Sequence, residues 1–393
     1  MWQWQPHNKQ DSERLKFSEI RTRYPSAPHD CLAMWIADMD IAPSRDVLEG
    51  IAEQVVQCTG YQSLSVGSTV SSWLNAKRMS ANDTDEQVLP EHVVDVPSVI
   101  GAINVALTTF CKSGDDVMVL SPSYGPLHQA VTLNHLNVNC VSLQNGKVNI
   151  DQLNADATAF VLCHPNNPDG AVLSKQCQNR LITFCEQHEI VLITDEVHAE
   201  IGFDDENNPT TIPLFGALSG QSLSPCLVHI DSVNKAFNLA SIPGASYAII
   251  ADEEKRIAFS HQLSLRHLQA NTASKQALIC AYQRGLPWLE YTKKAIAFNR
   301  KLVTRFYTHH QIRLNATMGS AGFFLWVNLN EPVICEGEWA KYFNPAKHVE
   351  QCIARGVIGN DGEQFNASGF IRLNLACHPL YIERALNRLY FSA

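Results

Sequence analysis

The segment DSVNKAFN, residues 231–238, sets one lysine, Lys235, between two strand-like runs at 227–230 and 245–250, with Ser232 three residues before it. Upstream lie HPNNPDG at 164–170 and an apolar run ending in TDEVH, where Asp195 closes the strand. An amide (Asn167), a carboxylate (Asp195) and an amine (Lys235), in that order and each where a strand gives way to a loop, suit an enzyme that holds an aromatic aldehyde. The amine can condense with the aldehyde as a Schiff base. The carboxylate can pair with a protonated ring nitrogen and keep the ring an electron sink, while the amide donates to a phenolic oxygen. Farther on, Arg372 sits in GFIRLNLA, inside an apolar strand. A buried guanidinium requires an anion. That anion is either a substrate carboxylate gripped by the planar fork or a neighbouring Asp or Glu.

Pyridoxal 5′-phosphate is the aldehyde these groups suit, and it needs two things more: a phosphate cradle and an aromatic plane against the ring. In VPSVIGAINVAL, residues 96–107, a strand stops at Pro97, Ser98 can cap, and an apolar helix follows. The N–H groups at the helix start, those of Val99 and Ile100, can bind a phosphate without a positive side chain. Ser232 is a second phosphate ligand by position, and Tyr124 in SPSYGP could stack on the ring. Each residue also has an ordinary structural explanation. A strand-end aspartate commonly caps the next helix, Asn-Pro is a turn signal, and a tyrosine in a turn often only packs.

These residues need a frame that aims several strand ends at one point. Short β-branched runs, apolar on both faces, occur at 93–96, 117–120, 138–143, 159–162, 190–194, 227–230 and 245–250. That is the pattern of strands covered by helices on both sides. Residues 174–188 carry Cys177, Leu181, Phe184 and Cys185 on one helical stripe, with Ser174 as N-cap. The alternation predicts an α/β fold: a three-layer α/β/α large domain with a mainly parallel sheet, binding its ligand at the carboxyl ends of the strands. Beyond residue 290 the texture changes to a long helix (288–309), an alternating strand (323–329), a Gly/Asn-rich loop (356–369), a strand (370–375) and a terminal helix (380–390). This reads as a smaller α/β domain. The expected division is an N-terminal arm, 1–43, packed with the small domain; a large cofactor-binding domain, 44–288; and a C-terminal domain, 289–393.

A chain of 393 residues exceeds the size at which one core stops growing, in keeping with two domains. Charged residues make up 18%, below the usual quarter, and hydrophobic residues 45%, which favours a well-buried globule. The net charge of −9 argues against a nucleic-acid partner. No apolar run approaches the roughly 20 residues needed to cross a bilayer, and MWQWQPHNKQ lacks the apolar core of a signal peptide, so no membrane partner is expected. Twelve scattered cysteines without a CxxC pair read as reduced thiols in a cytoplasm, and no spacing suggests a metal.

Taken together, MWIADMDIAPS at 34–44, TGY at 59–61, SPSY at 121–124, HPNNPDG, TDEVHAE, SVNKAFNLA and the NDG…GFIRLNLAC run resemble the fold-type-I pyridoxal-phosphate enzymes of the class I/II aminotransferase superfamily. The resemblance covers nearly the whole chain. WIADMD and DEVH bring it nearest the cystathionine β-lyase-like C–S lyase branch. It implies Lys235 as the Schiff-base lysine, Asp195 as the pyridine partner, Asn167 and His198 near the phenolic oxygen, Tyr124 stacked on the ring and Ser232 on the phosphate. It further implies that Arg372 holds the substrate α-carboxylate, helped by the backbone at Ala37 and Asp38. Tyr61 would reach the cofactor phosphate of the neighbouring subunit, in a homodimer with shared active sites. The chain departs from the family at Pro243, where many members carry a phosphate-binding arginine eight residues after the lysine, and at Asp169, in place of the threonine of NPTG. The implied reaction is β-elimination at a sulfur-bearing amino acid, giving pyruvate, ammonia and a thiol. An aminotransferase with a 2-oxo acid acceptor would use the same residues, and a binding protein with vestigial chemistry would retain them.

Overall fold

The computed structural model describes residue 4 and residues 13–57, 60, 62–79, 88–144, 146–217 and 223–391. At its centre is a sheet of eight strands: β1 Val93–Val96, β2 Asp116–Ser121, β3 Asn137–Gln144, β4 Lys147–Val148, β5 Ala159–Cys163, β6 Val191–Asp195, β7 Leu227–Ser232 and β8 Ser246–Ile249. Their order across the sheet is β1-β8-β7-β6-β5-β2-β3-β4. Strands β7, β6, β5, β2 and β3 run parallel, while β4 folds back on β3 and β8 runs antiparallel to both its neighbours. The seven strand-like runs are all strands, and the sheet is mainly parallel as their alternation with helices predicts.

Successive side chains on a strand face opposite ways, so these apolar strands feed two cores. Val117, Val119, Val161, Ile193 and Ile230 pack with the helix Val99–Phe110 and with Leu127, Val131, Phe259 and Leu263 of two further helices. Met118, Leu120, Phe160, Leu162 and Leu192 pack on the other side with Leu181, Ile182 and Cys185 of the helix Lys175–Gln187. Ser174 caps that helix, its Oγ accepting from the Cys177 N–H at 3.2 Å. Helices on both faces make the three layers. The register brings the carboxyl ends of β5, β6 and β7 level, with Cys163 opposite Asp195 and Asp195 opposite Ile230. The residues that follow these strands therefore emerge on one edge.

A second sheet holds β9 Ala316–Thr317, β10 Phe324–Asn328, β11 Asn360–Asp361 and β12 Phe370–Asn374, in the order β9-β10-β12-β11 with every pair antiparallel. Leu325, Val327, Ile371 and Leu373 pack against Val303 and Phe306 of the helix Leu286–His309 and against Ile382 and Leu386 of the helix Pro379–Tyr390. The run 323–327, which the sequence suggests should alternate, is buried throughout. Its second face is covered as well: Phe323 and Phe324 join the core that contains Tyr247 and Ile249 of the large sheet, and Trp326 stacks on Phe370 at 4.9 Å. Near the start of the chain, Leu32–Ala33 pairs in parallel with Val357–Ile358. Asn374 Nδ2 then holds the carbonyls of Ile36 and Asp38 at 2.7 and 2.6 Å. No described helix is long and apolar enough to cross a membrane.

Candidate active site

A cavity of about 670 Å³ opens where β5, β6 and β7 end. Asn167, Asp195, His198, Ser232 and Lys235 line it from the large sheet, Tyr124, Val99 and Ile100 from the helices beside it, Ala37 from the N-terminal segment and Arg372 from β12. Seven separated stretches of chain thus meet at one hole. Asp38 does not line the cavity; its carboxylate turns to Arg14 and Lys16 at 3.0 and 3.2 Å. Tyr61 lies outside the described residues.

Lys235 stands on a single helical turn, Val233–Ala236, capped by Ser232. Its Nζ donates to the Ala37 carbonyl at 3.1 Å. Burial lowers its pKa to about 8, Arg372 pushes the same way, and Asp38 and Asp195 oppose. Across the cavity, burial raises Asp195 to about 6, while the Val197 N–H and Lys235 pull it back. Asp195 does cap the turn that follows it, Oδ1 accepting from Val197 N at 3.2 Å. The capping explanation and a role toward a ligand therefore hold together. Burial, with the charges of Lys235 and Arg372, drives His198 down to about 3, so its ring is neutral at any working pH. His198 Nδ1 is buried without a hydrogen-bond partner among the described residues.

Arg372 is 4% exposed, and among the described residues no carboxylate forms an ion pair with it. Its guanidinium donates to Asn167 Oδ1 at 2.7 Å, Asn360 Oδ1 at 3.1 Å and the Trp35 carbonyl at 3.1 Å, while Nε has no partner. The rings of Phe324 and Phe365 flank it at 4.1 and 4.9 Å, which favours a cation over water. Burial nonetheless lowers its pKa to about 10. A desolvated cation held only by neutral oxygens is poised to take an anion from outside the chain.

At the other end of the cavity, Ser98 Oγ accepts from the Gly101 N–H at 3.0 Å and the Ser98 carbonyl from Ala102 at 2.9 Å. Among the described residues the N–H groups of Val99 and Ile100 have no such partner, which leaves them to an anion. Ser232 Oγ donates to the Ala245 carbonyl at 2.8 Å and accepts from Asn234 N at 3.1 Å, so it must rotate to donate to a phosphate. Asn234 Oδ1 is buried and unpartnered nearby. Asp169 does not line the cavity. It is spent inside its own turn, accepting from Asn166 Nδ2 at 2.8 Å and Ala171 N at 3.1 Å. Unpartnered polar atoms at His198, Arg372 and Asn234, together with free N–H groups at a helix start, ring a cavity whose charges are an acid, an amine and a guanidinium. This arrangement suits a flat ligand with polar edges and an anionic tail.

Several supporting residues escaped sequence reasoning. Arg78, 1% exposed, bridges Glu196 and Asp231, the residues directly after Asp195 and before Ser232, with 2.7 Å to Asp231. Burial acts to raise Glu196, but Arg78 and then His229 overcome it and hold the carboxyl down to about 2. His229 Nδ1 lies 2.7 Å from Glu196 and 3.0 Å from Thr194 Oγ1. This buried set ties β6 to β7 under the cavity. Two strand-end acids in apolar surroundings were the available signal, since each needs a cation. Asn360, Phe324 and Phe365 around Arg372 gave none.

The model of the family described as aminotransferase class I and II matches residues 58–389. Among curated relatives, cystathionine beta-lyase PatB of Bacillus subtilis (strain 168) is 26% identical over 377 residues, covering 92% of each chain. Protein MalY of Escherichia coli (strain K12) is 24% identical over 373 residues, covering 91% of this chain and 90% of its own. Among solved structures, cystalysin from Treponema denticola, which contains a pyridoxal 5′-phosphate cofactor, superposes with a TM-score of 0.84 at 20% identity, covering 99% of this chain and 98% of its own. The three-layer fold is thus shared from end to end.

Proposed function

We propose that this chain, which belongs to the class I and II aminotransferase family, is a pyridoxal 5′-phosphate-dependent carbon–sulfur lyase that splits a thioether or thiol from the β-carbon of an amino acid, giving pyruvate, ammonia and a thiol. The cofactor, when bound, supplies an electron sink for charge developing at the substrate α-carbon. Lys235 is the amine that holds it. Asp195 pairs with the ring nitrogen, Asn167 and His198 lie toward the phenolic oxygen, and Tyr124 packs on the ring. The phosphate takes the N–H groups of Val99 and Ile100, Ser232 after rotation, and Tyr61 of the partner subunit in a homodimer with shared active sites. Pro243 supplies no charge there, so backbone N–H groups must do that part. The arm 1–43, the large domain 44–288 and the C-terminal domain 289–393 together enclose the site, in a cytoplasmic protein.

The observation that carries this reading is Arg372, a buried guanidinium without a carboxylate, in the same cavity as Lys235 and Asp195. It grips the substrate α-carboxylate bidentately and so fixes the α-carbon within reach of Lys235. A free Lys235 amine, with its pKa lowered to about 8, takes the α-proton near neutral pH. Asp195, charged above about 6 and in the same buried cavity, opposes loss of positive charge from the ring nitrogen. Phe324, Phe365 and the backbone at Trp35 cover the guanidinium. The relatives named as cystathionine β-lyases favour elimination over amino transfer. The test is cystathionine with no 2-oxo acid acceptor: stoichiometric pyruvate and thiol, lost in Lys235→Ala, is the expected result. Product that appears only after 2-oxoglutarate is added makes the protein an aminotransferase instead.

A further inference from the structure

Residues 36–40 run as a strap between the two sides of the site. On one side Asn374, two residues past Arg372, holds the carbonyls of Ile36 and Asp38 at 2.7 and 2.6 Å. On the other, Asn238, three residues past Lys235, accepts from Met39 N at 3.0 Å and donates to the Met39 carbonyl at 3.0 Å. The middle of the strap presents the Ala37 carbonyl to Lys235 Nζ at 3.1 Å. Behind the strap, turned from the cavity, sits a cluster of two cations and two anions. Lys16 Nζ lies 2.8 Å from Asp40 and 3.2 Å from Asp38. Arg14 lies 3.0 Å from Asp38 and 3.1 Å from Asp40, and also donates to the Met39 carbonyl at 2.9 Å. The Asp38 Oδ1 contacts are ion pairs by distance without hydrogen-bond alignment. Such contacts act through charge more than through direction. Lys16 and Asp40 are 0% exposed, which makes their charges long-ranged compared with surface pairs.

We propose that Arg14 and Lys16 are positioning residues for Lys235: by pairing with Asp38 and Asp40 they fix the strap against the lysine and set how much of the Asp38 field its amine feels. The inference rests on Lys235 being the lysine that holds the cofactor. Four groups act on that amine through charge: Asp38 from behind the strap, next to the Ala37 carbonyl that the amine meets, and Asp195 from β6, Arg372 from β12 and His198 after β6 from within the cavity. Of these, Asp38 alone is partnered by the cluster behind the strap. Asp38 favours the protonated amine, so removing it and removing its counter-cation must move Lys235 in opposite directions. A purely structural cluster has no such sign rule.

The test follows capture of added pyridoxal 5′-phosphate by the full chain freed of cofactor, by visible absorbance across a pH series. The midpoint reports the free amine of Lys235. Asp38→Asn is expected to shift the midpoint to lower pH and speed capture about threefold at pH 7, the factor for half a pKa unit. Arg14→Gln, at a side chain 29% exposed and therefore tolerant of change, is expected to shift it to higher pH and slow capture. In the Asp38→Asn background Arg14→Gln is expected to shift the midpoint less than it does in the wild type, because only Asp40 remains for Arg14 to offset and coupled residues are non-additive. Arg14→Lys restores the wild-type midpoint. Shifts of equal sign in the two single variants, or an undiminished Arg14 effect without Asp38, overturn the inference while leaving the cofactor reading intact. No capture by the wild type overturns both.

Discussion

Arg372→Met separates a substrate-binding arginine from a structural one. The native state lowers the Arg372 pKa from 12.5 to about 10, which corresponds to roughly 3 kcal/mol by which the fold disfavours the charged side chain. Against this stand three hydrogen bonds, to Asn167, Asn360 and Trp35, each about 1.5 kcal/mol net or somewhat more because the donor is charged. The bonds outweigh the burial cost by a small margin. An unbranched methionine fills the slot between Phe324 and Phe365 without a charge to desolvate. Stability to urea is therefore expected to fall by no more than about 2 kcal/mol. Activity is expected to respond very differently. Losing one partner of a buried charge pair removes roughly 2–5 kcal/mol, so kcat/KM on cystathionine falls by at least about 30-fold. A variant that loses more than about 3 kcal/mol of stability while keeping kcat/KM within about tenfold would show that the arginine serves the fold. The assignment of the α-carboxylate to it would then fail.

Asp195→Asn tests the acid at the other end of the cavity. The folded carboxyl is raised to about 6 from 3.8, so the native state binds its proton more tightly than the unfolded chain. The resulting destabilisation is absent below about pH 4 and fully present above pH 6, at roughly 3 kcal/mol. In cofactor-free protein the asparagine variant should be more stable by up to that amount at pH 8, with the gap closing as pH falls; equal gaps at pH 8 and pH 4 would refute the burial argument. Arg78→Met leaves the charged Glu196 buried without its cation, while burial holds the Asp231 carboxyl well above its ordinary range, and should cost about 3–5 kcal/mol in urea unfolding; a loss under about 1 kcal/mol would mean that Glu196 is not charged. His198→Gln should lower kcat yet leave the pH midpoints of kcat/KM unmoved, since His198 is already neutral far below neutral pH. A displaced acid limb would show that it titrates.

The large sheet was legible because its strands are apolar on both faces and stop at turn residues. Once the alternation with helices was read, the edge where Asn167, Asp195 and Lys235 meet followed from topology. The direction of β8 was not legible, because an apolar strand such as 245–250 carries no mark of which way it runs. The run 323–327 misled in the same way: alternation implies one wet face, and Trp326 loses its wet face to Phe370 and Phe365 only in the tertiary structure. Arg372 could be found because a guanidinium in an apolar strand needs an explanation. Asn360 and Asn374, which aim the guanidinium and hold the strap, look like any loop or strand-end amide. Lys16, which pairs with the two acids of ADMD from more than twenty residues earlier, was not read from the sequence, because nothing local links them.

Arg372 bonds to partners 205 and 337 positions away along the chain, which bears on the birth of the protein as well as on its stability. Lys235 leaves the ribosome well before β12 does. At about 5–20 residues per second the interval is on the order of ten seconds. Throughout it the lysine, its capping serine and the β5–β7 edge exist, while Arg372 is still unsynthesised. On the proposed reading, a nascent chain that has made Lys235 but not Arg372 can meet the cofactor's aldehyde yet lacks the guanidinium that would orient an amino acid against it.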